Sequence, residues 1–416
     1  MYDVVVIGGG AAGMMAAGWA AKNGSKVLLI EKMEKLGRKV RISGKGRCNI
    51  TNSCTPEEFW GRLRTGNEFF RTAFSQFNNR QTVRFFERMG VKTIEEQGGR
   101  IFPKSGNAWD VADALMYWCR DNGVEIMLNT KVTDITTAAG VVNGVEFVNK
   151  RGFKRRADAA NVIITTGGVT YPLTGSTGDG YDFAYRMGHS IEPLRPSLVP
   201  LVAGVKDLDV LVGLKLKNVN VTLMINGKPT VSEFGEMSFS ARGIEGAVAL
   251  RLSRDAVDAL CEEKSVALKI DLKPALTPET IAARIERERG DLPTDAYWGD
   301  LLRRLAPPQL VLYIASQLAI PTTTFLSKIT DKQIAALIDT LKCVVIPISD
   351  FRPMAEAIVT AGGVSLEDVD SQTMQSRKIK GLYFAGEVLD LDGNTGGFNL
   401  QIAFSTGYLA GQLKKL

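Results

Sequence analysis

Apolar residues fall into short unbroken runs at the start of the chain and into period-two alternation in its middle. Val4 to Ile7 is a continuous run of strand-forming residues, the pattern of a strand covered on both faces. Gly8-Gly9-Gly10-Ala11-Ala12-Gly13 follows at once. Met14 to Lys22 then reads as a helix ended by Gly24, and Lys26 to Ile30 as a second apolar strand that stops on Glu31. Lys32 to Asn52 has little apolar periodicity and reads as a loop. Thr55-Pro56-Glu57-Glu58 has the form of a helix start, with a hydroxyl cap, Pro at the first position and Glu reaching back. Helical pattern continues to about Met89, with Phe69-Phe70 and Phe85-Phe86 as core anchors. Arg100 to Pro103 is a short extended piece, and Val111 to Asp121 a helix that buries Trp118 and Cys119.

Val124 to Thr130 predicts a third strand of the first sheet. Val132 to Ile135, Gly144 to Asn149 and Lys154 to Arg156 predict a small antiparallel meander with turns at Ala139-Gly140 and Asn143-Gly144. Asn161 to Thr165 is a further buried strand, ending in Thr166-Gly167-Gly168, and Gly178 to Met187 is a helix. From about Pro193 the texture changes. Ser197 to Phe239 alternates in period two, with a hairpin turn at Asn226-Gly227, which predicts antiparallel strands or a small barrel. Glu245 to Arg254 reads as helix, Ser265 to Leu272 as strand, and the rest as helices capped at Thr277-Pro278 and Thr330. The pattern places an inserted domain over 194–342, between a first part of the parent domain (1–193) and a second part (343–416). In the second part Val344 to Ser349 is extended and Gly381 to Glu387 is a buried strand ending on a Gly-acid pair. Asn394 to Gln401 is a glycine loop, and Ile402 to Leu413 a closing helix.

Composition narrows the class. The chain has 416 residues, 45% hydrophobic and 23% charged, ordinary for a globular protein of two or three domains. A formal net charge of +6 is a small excess that does not by itself argue for nucleic acid, and none is expected as partner. The five cysteines are an odd number with no CxxC spacing, which fits a reduced, cytoplasmic setting. A single histidine, His189, excludes a histidine-rich metal centre; it reads as a capping or surface residue. Val4 to Ala21 is uncharged and long enough to suggest a membrane span, but its five glycines belong to the opening motif, so no membrane association is expected. Oligomeric state is not legible.

The motifs carry the chemistry. Gly8 permits a tight turn, Gly10 lets backbone approach a pyrophosphate, and Gly13 lets the helix pack on the strand. The helix N-terminus at Ala11 and Ala12 faces the phosphates. Glu31, about 20 residues on, stands where an acid accepts hydrogen bonds from a ribose. A plain glycine turn would explain the glycines but not Glu31. Directly after comes a basic, glycine-rich stretch with Lys32, Arg38, Lys39, Ser43, Gly44, Gly46, Arg47, Cys48 and Asn49, whose N–H groups and cations suit phosphate. Near the C-terminus, Gly386-Glu387 and Gly396-Gly397-Phe398-Asn399-Leu400-Gln401 supply a second set of N–H groups for an anion or a ring carbonyl.

Three of these motifs, Gly8 to Gly13 with Glu31, Thr165 to Gly168, and Phe384 to Glu387, resemble the two-part FAD-binding domain of the glutathione-reductase type. Gly37 to Asn49, with its Ser-Gly-Lys-Gly-Arg-Cys-Asn core, Thr360 to Val364 and Gly386 through Asn399 are similar to the signatures of the YhiN/HI0933-like flavoproteins, whose members carry names such as BaiN-like protein or aminoacetone-oxidase-family enzyme. The resemblance implies an α/β fold, a glutathione-reductase-type FAD-binding Rossmann domain with an inserted β-barrel plus helical domain. It implies FAD as cofactor, with Thr166 and Gly167 at the site, Val132 offering backbone to adenine, Glu387 on the ribityl-phosphate side, and the isoalloxazine between Gly44–Asn49 and Gly396–Gln401.

The activity implied is an FAD-dependent oxidoreductase acting on a small organic substrate, an amine or an unsaturated carbonyl. No second strand–GxGxxG–helix unit follows Glu31, so NAD(P)H, if it is the transient electron donor, visits a site without its own Rossmann unit, and an oxidase or dehydrogenase whose substrate reduces FAD directly stays open beside an NAD(P)H-dependent reductase. Two other readings stay open: an FAD-dependent RNA-modifying enzyme and a non-enzymatic flavin redox sensor. The mixed charges of Glu279 to Asp291 weigh against the first. Cys48 reads as a packing residue, because Cys54 lies six residues away instead of three. Tyr171 and Tyr181 are candidates to face substrate, and no catalytic acid or base stands out.

Overall fold

The structure, a computed structural model, describes residues 1–204, 206–241 and 243–413. It divides into two units, Met1–Pro196 with Ala357–Leu416, and Ser197–Glu356.

The first unit is built on a seven-stranded sheet. Strand β1 (Tyr2–Ile7) leads through a glycine turn into helix α1 (Ala11–Lys22) and then strand β2 (Val27–Ile30). β1 pairs in parallel with β2 and with the strand Lys154–Ile164, while Glu125–Met127 extends the sheet beyond β2. Val4, Val5, Val6, Leu28 and Leu29 have no exposed surface, which is why their run shows no alternation. Lys154–Ile164 serves two sheets at once. Its first half pairs antiparallel with Val141–Asn149, and its second half parallel with β1 and with Leu382–Phe384. The two strands expected at 154–156 and 161–165 are thus one, continued through Ala157 to Ala160. The hairpin turn at Ala139-Gly140 is present, both residues at positive φ. Asn143-Gly144, expected as a turn, lies inside the Val141–Asn149 strand beside an irregularity in its pairing.

Small residues bring helices together. A Cβ on Gly407 or Gly411 of the closing helix (Phe398–Ala410 and its C-cap) would stand 2.5 or 2.6 Å from the carbonyl oxygens of Ala12 or Ala16 in α1. The all-round Ala and Gly content of α1 is therefore a packing surface, not a membrane span. Among the described residues no helix is long and apolar enough to cross a membrane.

The second unit contains a closed six-stranded barrel of Leu201–Ala203, Gly243–Glu245, Lys228–Ser240, Lys215–Ile225, Val266–Asp271 and Val344–Phe351. Val219, Val221 and Leu223 alternate into its core, as the period-two pattern requires. Its helices, including Ala247–Cys261 and Asp331–Lys342, share that core, with Trp298 fully buried. Val344 to Ser349, assigned above to the returning part of the first domain, is a barrel strand, and the chain returns to the first unit at Ala357 instead of residue 343. An alternating strand shows which faces it has but not which sheet it joins.

Candidate functional site

The glycine turn is held by close backbone approach. A Cβ on Gly8 (φ +102°) would lie 2.6 Å from the Thr165 carbonyl oxygen, and one on Gly13 would lie 1.9 Å from that of Gly8. Gly10 differs, since a Cβ there would meet nothing within 4 Å. It caps α1 without any side-chain hydrogen bond, so the first N–H groups of that helix face an open side. Glu31 closes the turn from behind. Its carboxylate accepts from Gly9 N at 2.7 Å and Met33 N at 2.8 Å. Burial lifts the Glu31 carboxyl above the ordinary carboxylate range, with those two N–H groups pulling the other way.

Lys32 to Asn52 is not simply a loop. Gly37 donates its N–H to the Gly9 carbonyl at 2.8 Å and, in the left-handed conformation, starts helix α2 (Arg38–Gly46). Only its first turns are regular, because Ser43, Gly44 and Lys45 leave helical geometry. The cations expected to bind phosphate already have acidic partners. Lys32 pairs with Asp179 at 2.6 Å, Lys39 with Glu387 at 2.7 Å, Arg38 with Glu34, and Arg47 with Glu96. For Asp179, burial raises the carboxyl, but Lys32 and Lys131 outweigh it and leave it below its ordinary value. Ser43 donates its hydroxyl to Val40 O. Cys48 is fully buried, and burial pushes its thiol up to about 12, partly offset by Ser43. It is a neutral thiol, and all five cysteines are free. Asn49 holds a buried Oδ1 with no hydrogen-bond partner.

Two of the later motifs converge on the same turn, and the third packs on Thr51 and Asn52. Thr165 donates its hydroxyl to the Gly8 carbonyl at 2.8 Å. Thr166 Oγ1 is buried and unpaired, and Gly167 takes positive φ. A Cβ on Gly386 would touch that of Ala12 at 2.8 Å, so the Gly-Glu pair abuts the start of α1. Glu387 is engaged by protein: Lys39 Nζ, Thr170 Oγ1 and the Thr360 N–H all donate to it. Gly396 is fixed through its carbonyl, which accepts from Asn52 Nδ2 at 3.1 Å. Gly397 caps the closing helix at φ +98°, where a Cβ would sit 2.4 Å from the Thr51 backbone.

Residues 398 to 401, expected as glycine loop, are the first turn of that helix, and their side chains face inward or brace the loop. Phe398 packs on Phe59 with ring centroids 5.0 Å apart. Asn399 braces the preceding loop through both Gly393 N and Gly393 O. Leu400 packs half-buried on the core. Gln401 is fully buried, bonded to Thr51, Phe77 O and Ser405. What this turn offers outward is backbone N–H. Val132 lies buried in the strand Thr130–Ala138, paired with Phe147. Tyr181 is buried and donates to Glu387 O, so it braces the site instead of facing a substrate; Tyr171 stays half-exposed, with its ring 5.8 Å from Lys39 Nζ. His189 is buried, not at the surface, between Ala184 O and Ser376 Oγ.

The result is two glycine-led N–H arrays at helix starts, Gly10–Gly13 and Gly397–Leu400, beside a kinked Ser43–Asn49 segment in which the Arg47 and Cys48 N–H groups are bonded to Gly44 O and Ser43 O, with two orphaned buried polar atoms, Asn49 Oδ1 and Thr166 Oγ1. Thr51, Asn52 and Thr170 were not singled out from sequence, and Thr165 and Thr360 entered only as the first residues of two motifs. They are isolated hydroxyls and amides whose partners lie far along the chain. Among the described residues no group of acids, cysteines and histidines could hold a metal ion.

A family model described as the HI0933-like protein Rossmann domain matches residues 2–413. A 3-dehydro-bile acid delta(4,6)-reductase of Clostridium scindens is 31% identical, over 99% of this chain and 98% of its own. A ribosomal RNA dihydrouridine synthase of Haemophilus influenzae is 30% identical, over 97% of this chain and 96% of its own. Among solved structures, a 3-ketosteroid-delta4-(5alpha)-dehydrogenase from Rhodococcus jostii RHA1 superposes with a TM-score of 0.56 at 16% identity, covering 99% of this chain and 97% of that one. At that identity the likeness is one of fold.

Proposed function

We propose, for a chain that belongs to the HI0933-like family and is an FAD-dependent oxidoreductase, that its reaction is the reduction of a carbon–carbon double bond conjugated to a carbonyl. The observation that supports a flavin here is the open N–H arrays together with the two orphaned atoms, Asn49 Oδ1 and Thr166 Oγ1. A large cofactor with many donors and acceptors is the kind of group that satisfies such atoms. The first turn of α1 would hold a pyrophosphate, Glu31 a ribose, and the N–H groups of residues 398 to 400 a ring carbonyl. When bound, FAD supplies hydride exchange at N5.

The reaction class is drawn from what the two relatives of 31% and 30% identity have in common. A delta(4,6) bile-acid reductase saturates a double bond of a 3-keto steroid. A dihydrouridine synthase saturates a uracil double bond next to a carbonyl. In each the carbonyl polarises the conjugated bond, so hydride goes to its electron-poor end and a proton to its other carbon. This chain contributes a pre-ordered cradle for that transfer. Cys48, held as a neutral thiol, takes no part in electron transfer in this reading. NAD(P)H is the proposed donor, visiting the site without a nucleotide-binding unit of its own.

A second reading, a uridine in ribosomal RNA as substrate, is favoured by the Haemophilus influenzae relative. The pairing of Lys32, Arg38, Lys39 and Arg47 with acids argues against it, because cations already matched attract phosphate weakly. The test is anaerobic. The purified yellow protein is mixed with NADH or NADPH, and bleaching of its visible band is followed. The reduced protein is then offered a steroid dienone, a simple enone, or unmodified ribosomal RNA. Rapid reoxidation by an enone and not by RNA supports the first reading, and the reverse supports the second. A bleached protein that neither substrate reoxidises refutes both.

A further inference from the structure

We propose that Asn49 is the acceptor for the imide N3–H of the flavin ring, so that its side chain reads the polar edge of the isoalloxazine. This rests on the flavin reading above. Two of the motif residues hold a buried polar atom with no hydrogen-bond partner, Thr166 Oγ1 and Asn49 Oδ1. They are not equivalent. A hydroxyl rotates and can donate or accept, whereas an amide oxygen only accepts. A buried acceptor left without a donor calls for one, and here that donor is an N–H or O–H of the ligand. Oxidised FAD is rich in acceptors and poor in N–H donors. It has the adenine amine and the imide N3–H, and otherwise only sugar hydroxyls.

Placement along the chain selects among them. In the flavin reading the pyrophosphate and ribose sit at the first turn of α1 and at Glu31. Gly37, at the start of α2, is tied to that turn through Gly9 O at 2.8 Å, whereas Asn49 lies beyond the other end of α2, past Gly46. The kink there seats it. Gly44 is left-handed (φ +57°), and a Cβ on it would lie 2.9 Å from Asn49 N and 3.7 Å from Asn49 Cβ. Asn49 also stands two residues before Thr51, a reach of at most about 7 Å. A Cβ on Gly397 would be 2.4 Å from the Thr51 backbone, and Asn52 Nδ2 donates to Gly396 O at 3.1 Å. The orphaned acceptor is thereby held beside the first turn of the closing helix, whose N–H groups are read above as holding a ring carbonyl. In a flavin the imide N3–H lies between two ring carbonyls. Donors at the helix start with one acceptor alongside match that edge, and neither the adenine amine nor a ribityl hydroxyl offers the same alternation.

The test is a cycle that alters ligand and protein in turn. The full-length protein is stripped of flavin and titrated with FAD or with 3-methyl-FAD, in which a methyl group replaces the N3 proton, and binding is read from flavin fluorescence. The wild type should bind 3-methyl-FAD about tenfold more weakly than FAD, the scale of one buried acceptor left without its donor. Asn49→Ala should bind FAD about tenfold more weakly than the wild type does, and should bind the two flavins alike. Asn49→Ser, too short to reach the ring edge, should behave the same way and serves if thermal melts show that the alanine protein does not fold. The proposal fails if the wild type binds both flavins equally, or if the variants prefer FAD as strongly as the wild type does. A wild-type protein that takes up neither flavin would instead overturn the flavin reading beneath it.

Discussion

Gln401 separates a structural role from a cofactor role by a measurable amount. Its sequence position, in a glycine-led loop beside an expected flavin, suggests a ligand contact, whereas the structure turns its amide into the core. Oε1 accepts from Thr51 Oγ1 at 2.6 Å, and Nε2 donates to Phe77 O at 3.0 Å and Ser405 Oγ at 2.9 Å. Gln401→Leu keeps the volume and removes all three bonds. Phe77 O retains the Ser405 hydroxyl at 2.7 Å, so it is not orphaned. The Thr51 hydroxyl, fully buried, loses its acceptor, which costs ~1–3 kcal/mol, and the lost bonds add about 1 kcal/mol. A total of ~2–4 kcal/mol corresponds to a drop in Tm of roughly 5–15 °C for a domain of this size. Differential scanning fluorimetry at saturating FAD reads it directly. Thr51→Val in the same protein removes the stranded hydroxyl and should recover ~1–2 kcal/mol. A Gln401→Leu protein with unchanged Tm and lost FAD binding would refute the reasoning.

Gly13→Val places a side chain where a Cβ alone would stand 1.9 Å from Gly8 O; spectrophotometry of the purified protein should find no bound flavin. His189 bonds Ala184 O through Nδ1 and Ser376 Oγ through Nε2. Because Ser376 Oγ already accepts from Lys378 N and Ile379 N, it serves as donor to a neutral ring. Burial holds the His189 pKa below its ordinary 6.5, a lowering to which nearby Lys378 adds and which Ala184 O and Asp368 oppose. A depressed folded pKa means the unfolded chain takes the proton first. The neutral ring's contribution is intact above pH 6.5 and is lost as the pH falls below that value. Urea titrations should show that loss, and His189→Phe should flatten it. In the native protein Cys48 should resist iodoacetamide at neutral pH while the exposed Cys261 and Cys343 react, as peptide mass spectrometry would report.

What sequence could show followed from how local each signal is. The opening β1–α1–β2 unit was legible because its apolar runs, its glycines and Glu31 all lie within one short stretch. The barrel was legible as alternation, as at Val219 to Leu223. Its closing strand was not assigned, since Val344–Phe351 finds its partners in Val266–Ile270 and Leu201–Ala203 only in three dimensions. The start of α2 was hidden by Gly37, Gly44 and Gly46, which read as loop. The pairing of Lys39 with Glu387 was hidden by distance along the chain, so a set of bases that looked ready for phosphate proved to be matched to acids. Gln401 misled because a polar residue near a glycine loop looks like a ligand contact until its burial is known.

The barrel is sealed by its own ends. Leu201 pairs with Phe351, and Arg352 donates its N–H to Pro200 O at 3.0 Å. The chain therefore enters and leaves the second unit side by side, stitched by backbone hydrogen bonds. Such a unit behaves as a cassette. Its interior can be lengthened, repacked or traded for another of different surface chemistry while the two ends offered to the parent chain stay where they were. The paired entry and exit strands make this seam the natural place to cut when building chimaeras between relatives.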